Sequence, residues 1–183
     1  MEGTNVSYGL ITSKFLGIFP KKKFFACSHS VVMRSRVRNA PPWDYAIKCN
    51  MKDKLSRVPF DVFVRGEIVG PKICCGKKNI YCLDENHFTV FDVYQVINGK
   101  YIQFNFEQMR KFCIEFGFEY VPIVEHCAAL KPTVEEMLKN SDGKTIYEYA
   151  NNKKQLREGI VWRLIDDPSV SFKVKSPKYM IED

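Results

Sequence analysis

An Asn-Gly pair lies between two apolar segments of the chain. Asn98 and Gly99 separate residues 88–96 from residues 101–104. Both residue types tolerate the positive φ angles of a type I′ turn, whose twist matches that of the two strands it joins. The pattern therefore predicts an antiparallel hairpin.

Other segments extend this β pattern along the chain. Apolar residues alternate with polar ones, or β-branched residues cluster, in residues 5–12, 24–28, 61–69, 159–164 and 170–175. Residues 17–23 contain a glycine, a proline and a run of lysines, which predicts a turn between the first two strands.

Helices are predicted in three places between these strands. After Pro41 and Pro42 an apolar residue recurs every four positions, which indicates a helix with one buried face formed by Trp43, Ile47, Met51 and Leu55. Residues 105–116 and 133–139 each begin with a capping-box pattern, and Gly117 follows the first of them as a helix terminator. Because strands outnumber the scattered helices, the sequence predicts an α+β fold with mixed, mainly antiparallel sheets.

Length and composition suit a single folded domain over residues 1–183. The 45% apolar content excludes a disordered chain, and no apolar stretch is long enough to span a membrane. The first residues lack the pattern of a secretory signal. The seven cysteines form no Cys-x-x-Cys pair, so we expect reduced thiols in a cytoplasmic compartment. We also expect a monomer, and the net charge of +7 permits a polyanionic partner.

Two lysines, two glutamates and one phenylalanine mark the candidate site. Lys173 and Lys175 share one face of a predicted strand, where they repel each other unless an anion or carboxylates lie opposite. Glu158 precedes the neighbouring strand, and Glu67 lies among glycines that permit close backbone approach to a ligand. With Phe91 stacked on a base, this set suits a nucleoside phosphate and a divalent metal. Each residue alone is more simply explained as a solvated charge or a core ring.

Five short segments, taken in order, resemble the motifs of covalent nucleotidyltransferases, the superfamily of DNA ligases, RNA ligases and mRNA capping enzymes. They are EGTN at residues 2–5, RGEIVGP at 65–71, VFDV at 90–93, REGIVWR at 157–163 and FKVK at 172–175. The Thr-Asn pair of the first motif, the Gly-Pro pair at 70–71 and SFKVKS at 171–176 resemble the ATP-dependent RNA ligase branch. This resemblance spans nearly the whole chain and implies a ligase-type, ATP-grasp-like nucleotidyltransferase domain.

The resemblance implies a three-step reaction that uses ATP and Mg²⁺ or Mn²⁺. A lysine attacks the α-phosphate of ATP and forms lysyl-AMP. The AMP then moves to an RNA 5′-phosphate, and an RNA 3′-hydroxyl displaces it to join two RNA ends. Such a transfer is dominated by alignment and charge neutralisation.

The resemblance also implies a role for each matching residue. The catalytic residues would be Glu67, Glu158, Lys173 and Lys175, of which Glu158 and Glu67 serve the metal and the lysines contact phosphate. Glu67 would contact the ribose or assist the reacting lysine. Phe91 would stack on adenine, and Glu2 and Gly3 would complete the nucleotide site. RNA would contact Thr4, Asn5, His29 and Arg34, with Asn5 engaging the 3′-hydroxyl end.

Two positions depart from the family pattern. The nucleophilic lysine would stand directly before Met1, so we expect either a start codon further upstream or a truncated product. In both cases the given sequence is N-terminally truncated relative to the motif. His29 stands where the family places an arginine, and Arg34 and Arg36 are nearby alternatives. Because of these departures, a second interpretation is a catalytically deficient remnant of such a ligase that binds nucleotide or RNA. A DNA ligase is a further alternative, although the chain has no room for the oligonucleotide-binding domain that such enzymes commonly carry.

Overall fold

The computed structural model of the chain describes residues 3–15, 19–28, 31–33, 41–71, 73 and 79–182. Its strands are β1 (Thr4–Phe15), β2 (Phe19–Ser28), β3 (Val32–Met33), β4 (Asp61–Val69), β5 (His87–Ile97), β6 (Lys100–Gln103), β7 (Glu119–Tyr120), β8 (Gly159–Arg163) and β9 (Ser171–Lys175). Its helices are α1 (Pro41–Lys48), α2 (Met51–Ser56), α3 (Phe106–Phe116), α4 (Val134–Ser141) and α5 (Pro177–Glu182).

Two sheets organise these elements. The main sheet has the strand order β3-β2-β1-β4-β5-β6, with β7 added beside β5 in parallel and every other pair antiparallel. Strands β8 and β9 form a separate antiparallel pair. The predicted α+β class with mainly antiparallel sheets is confirmed.

One face of the main sheet forms the hydrophobic core. Residues of β4 alternate between buried and half-buried, so that Val62 and Val64 are fully buried on one face. Leu55 of α2 and Phe112 of α3 belong to the same buried cluster, so these helices cover that face. The opposite face of the sheet carries Asn5, Arg65 and Glu67 together with aromatic rings such as that of Phe63, and the candidate site lies on this face.

The predicted hairpin and the capping box of α3 are confirmed, whereas α4 shows one half of its predicted box, in which the Glu136 N–H donates to the Thr133 hydroxyl oxygen. Asn98 and Gly99 adopt φ angles of 51° and 76° between β5 and β6. Asn105 and Gln108 form the reciprocal capping box of α3, which ends at Gly117 in the left-handed conformation. These features depend on neighbouring residues only, which is why the sequence alone predicts them.

Two predicted elements differ from the structure. The predicted turn at 17–23 is wrong from Phe19 onward, because β2 begins there and Lys22 pairs with Thr12 of β1 in a long hairpin. The helix predicted after Pro41 is divided in two at Asn50, whose φ of 49° is left-handed. As a result Ile47 is 68% exposed and does not share the buried face of Leu55.

Within the described residues, no helix is both long enough and apolar enough to cross a membrane.

Candidate functional site

The first motif and the second motif meet on adjacent strands. Asn5 of β1 lies opposite Glu67 of β4, and the backbone N–H of Gly3 donates a hydrogen bond to the Glu67 carboxylate. A side chain on Gly3 would collide with the carbonyl oxygen of Ile68. Glycine at this position therefore lets the two strands approach closely enough for the backbone to bind the carboxylate.

Glu158 and Lys173 form an ion pair across the β8–β9 hairpin. The Lys173 Nζ lies 2.5 Å from the Glu158 Oε1, and the Ser176 N–H donates to the Glu158 carbonyl oxygen at 2.9 Å. Gly159, which directly follows Glu158, adopts a φ of 153°, and a side chain there would collide with the carbonyl oxygen of Val174. A larger residue there would push the strands apart, so the glycine permits the hairpin that brings the carboxylate to the lysine.

Glu67 and Glu158 belong to different sheets and still influence each other. Burial raises the pKa of Glu67, and the negative charge of Glu158 raises it further, whereas the Gly3 N–H and the Lys173 ammonium lower it. Glu67 therefore interacts electrostatically with both Glu158 and Lys173, while Gly3 and Asn5 lie beside Glu67 on the neighbouring segment. Two carboxylates that repel each other favour a cation between or beside them.

The site fits a metal that arrives with a nucleotide better than a metal held by protein alone. Among the described residues, no group of three or more His, Cys, Asp or Glu side chains could hold a metal ion. Mg²⁺ commonly takes one or two carboxylates together with substrate phosphates. Glu67 and Glu158 could supply those carboxylates, and Lys173 and the exposed Lys175 lie on one face of β9 where phosphates would lie.

Phe91 occupies a β-bulge. Arg65 pairs with Asp92 and Gly66 pairs with Val90, which leaves Phe91 as the extra residue of β5. Its side chain is half-buried and stands outside the hydrophobic core of the described residues. The Arg65 guanidinium lies 5.6 Å from the centre of its ring. This placement favours a ligand-facing ring over the alternative of a core ring.

Asp92 connects the two sheets. It is 6% exposed, and its Oδ1 lies 2.8 Å from the Arg163 Nη1 and accepts a hydrogen bond from the Gln103 Nε2. The same Arg163 nitrogen donates to the Phe91 carbonyl oxygen at 2.9 Å. The strand that follows Glu158 is thus attached to the strand that carries Phe91. Asp92 and Arg163 lie within the sequence motifs, but the sequence alone indicated no role for either residue.

Arg157 has a structural role that the sequence did not indicate. Its guanidinium donates to the carbonyl oxygens of Asn140, Ser141 and Asp142 at distances between 2.6 and 2.9 Å. These carbonyls end α4, so the arginine satisfies acceptors that have no partner within the helix. These hydrogen bonds hold Arg157, the residue directly before Glu158, in place.

Of the other predicted residues, Thr4 lies apart from this group. The Thr4 hydroxyl donates to the carbonyl oxygen of Ile73 at 3.4 Å, on the side of β1 away from Asn5. Glu2, His29 and Arg34 lie outside the described residues.

The fold of the chain is similar to that of solved structures. Solved structures similar to the chain include Naegleria gruberi RNA ligase with PPi, a mutant of it with AMP and Mn, and another mutant with ATP and Mn. Each is 23% identical, with TM-scores of 0.78, 0.78 and 0.77 in that order. The match covers 100% of this chain and 49%, 49% and 50% of those chains. The chain therefore has the fold of about half of that ligase.

A search of curated proteins finds no match to this chain. The family profile described as RNA ligase, in contrast, matches residues 1–175 and so includes every motif from EGTN to FKVK. The sequence motifs, the fold and the profile agree: the chain belongs to the RNA ligase family.

Proposed function

We propose that this chain is the nucleotidyltransferase part of an ATP-dependent RNA ligase, which joins RNA 5′-phosphate and 3′-hydroxyl ends through lysyl-AMP and RNA-adenylate. The observation that carries the proposal is the convergence of Glu67 from the main sheet with the Glu158–Lys173 ion pair from the second sheet. Carboxylates and an ammonium group at one point provide what phosphoryl transfer needs, which is charge neutralisation and alignment.

Each of these residues would have a role that follows from its position in the site. Lys173 and Lys175 would bind phosphate oxygens from one face of β9, and Glu158 keeps Lys173 oriented before a ligand arrives. Glu67 and Glu158 would hold a divalent metal whose charge offsets that of the phosphates. Asn5, opposite Glu67, would position the 3′-hydroxyl end of the acceptor RNA.

The ligand assignments extend what the similar structures contain. The Naegleria proteins are described with ATP, AMP or PPi, and in several cases with Mn. We propose ATP and Mg²⁺ or Mn²⁺ as the cofactors of this chain and RNA ends as its substrate. A reducing, cytoplasmic setting is part of the proposal, because the cysteines in the described part are free thiols.

The sealing step offers the most direct test, because RNA that already carries AMP on its 5′ end does not require the nucleophilic lysine. We expect the chain to join such RNA to an acceptor with a free 3′-hydroxyl, and only with Mg²⁺ or Mn²⁺ present. Product formation is followed by denaturing electrophoresis, with a 3′-deoxy acceptor as the negative control. Added salt should reduce the rate, because phosphate contacts release counterions.

A folded sample that binds RNA but joins none of the adenylated substrate would reject this function. The catalytically deficient remnant would then account for the same fold and the same charged cluster.

Phe91 provides a separate test of the nucleotide site. We expect Phe91→Ala to weaken ATP binding by about 1 to 3 kcal/mol and Phe91→Tyr to leave it nearly unchanged, because any aromatic ring can stack on adenine. Isothermal titration calorimetry measures the affinities, and thermal unfolding of each variant is measured in parallel. Equal losses of ATP affinity in both variants, together with a collapse of the melting temperature, would assign Phe91 to the core instead.

A further inference from the structure

An open cleft with a volume of about 400 Å³ lies on the exposed face of the main sheet. Six strands contribute to it, and its lining residues include Ser7, Cys27, Val32, Phe63, Arg65, Tyr94 and Tyr101. None of these residues has a role in the proposed chemistry.

The cleft begins next to the candidate site. Ser7 pairs with Arg65 in the same register in which Asn5 pairs with Glu67, and residues two positions apart on a strand face the same side. The step from the Asn5–Glu67 pair to the cleft is therefore about 7 Å along the strands. An RNA whose 3′ end lies at Asn5 has its adjoining nucleotides within reach of this surface.

Aromatic rings form the floor of the cleft. The Phe63 ring lies 5.6 Å from the Tyr101 ring and 6.4 Å from the Phe25 ring, so the rings form a row across the sheet. Tyr101 is 62% exposed. Exposed rings on a sheet face are the usual means by which proteins stack unpaired RNA bases.

Arg65 adds a positive charge whose position is fixed. Its Nη1 lies 3.2 Å from the Tyr94 hydroxyl oxygen and 3.6 Å from the Asp92 Oδ2. Its side chain nevertheless remains 40% exposed. A planar guanidinium has more donors than these two contacts use, and its geometry matches phosphate oxygens.

We propose that this cleft binds unpaired nucleotides of the RNA strand next to the reacting end, with bases stacked on Tyr101 and Phe63 and a phosphate beside Arg65. The proposal rests on the proposed function, which supplies the RNA. Val31 and Val32 also line the cleft, but an RNA strand is favoured over an apolar protein segment because Arg65 and serine hydroxyl groups lie beside the rings, in a chain of net charge +7.

The test uses variants of the exposed ring. Affinity for a fluorescent single-stranded RNA is measured by anisotropy for the chain, Tyr101→Ala, Tyr101→Phe and the control Tyr149→Ala, which removes an exposed tyrosine outside the cleft. We expect about 5- to 50-fold weaker binding for Tyr101→Ala and a change below about 3-fold for the other two variants. A blunt RNA duplex should show no difference between the chain and Tyr101→Ala, because its bases are already stacked.

The outcomes separate this proposal from the proposed function. If the chain joins adenylated RNA while Tyr101→Ala binds single-stranded RNA as tightly as the chain does, the cleft proposal is overturned and the ligase function stands. If RNA joining fails but the loss in Tyr101→Ala and its rescue by phenylalanine are observed, the cleft proposal is supported and the ligase function is rejected. An equal loss of affinity for duplex and single-stranded RNA overturns base stacking in the cleft.

Discussion

Replacing either Glu158 or Lys173 by alanine is expected to slow the joining of adenylated RNA about 100- to 1000-fold, the usual effect of removing one preoriented electrostatic contact in a transition state. Glu158 is only 20% exposed in this ion pair, so Lys173→Ala also leaves a partly buried carboxylate without its partner. The measurement is the single-turnover joining rate at saturating RNA.

Matched controls separate this effect from a general change in charge. Glu148→Ala and Lys139→Ala remove exposed charges of the same kind and should leave the rate within about 2-fold, as for surface substitutions away from special features. Because Glu158 and Lys173 contact each other, the double variant should lose less than the sum of the two single losses in free energy. Near-normal rates in both single variants would reject the assignment of this pair to the site.

Replacing Asp92 by alanine is expected to lower the free energy of unfolding by about 3 kcal/mol, because removing one partner leaves the charge of the other in a poorly solvated place. The Arg163 side chain is 25% exposed, and its buried Nε has no hydrogen-bond partner among the described residues, so it has little access to water as a substitute. Urea denaturation measures the loss, with the exposed Asp166→Ala as the control.

The same substitution should also affect the site. Asp92 attaches β8 to β5, and Glu158 directly precedes β8, so a folded Asp92→Ala variant should join RNA more slowly than the Asp166→Ala control. A loss of stability no larger than that of the control, about 0.5 kcal/mol or less, would show that the two sheets are held together by other contacts.

Local features of this fold were predictable because they depend on a few consecutive residues. The turn at Asn98 and Gly99 and the capping box of Asn105 follow from the backbone preferences of a few neighbouring residues, and they need no contact with distant parts of the chain. The break between α1 and α2 was not predictable, since Asn50 adopts a left-handed conformation within an otherwise regular apolar repeat. Likewise, Lys21–Lys23 lie in a strand because β1 pairs with them, although their composition resembles a turn.

The order of the motifs along the chain was enough to predict Glu67, Glu158 and Lys173 as site residues. Which of these residues contact each other, and what holds them in place, depends on the folded structure. The Glu158–Lys173 contact, the influence of Glu158 on Glu67 and the attachment of Arg163 to Asp92 all join residues from different strands. Such contacts depend on strand register and on how two sheets pack, and no local preference along the chain specifies either.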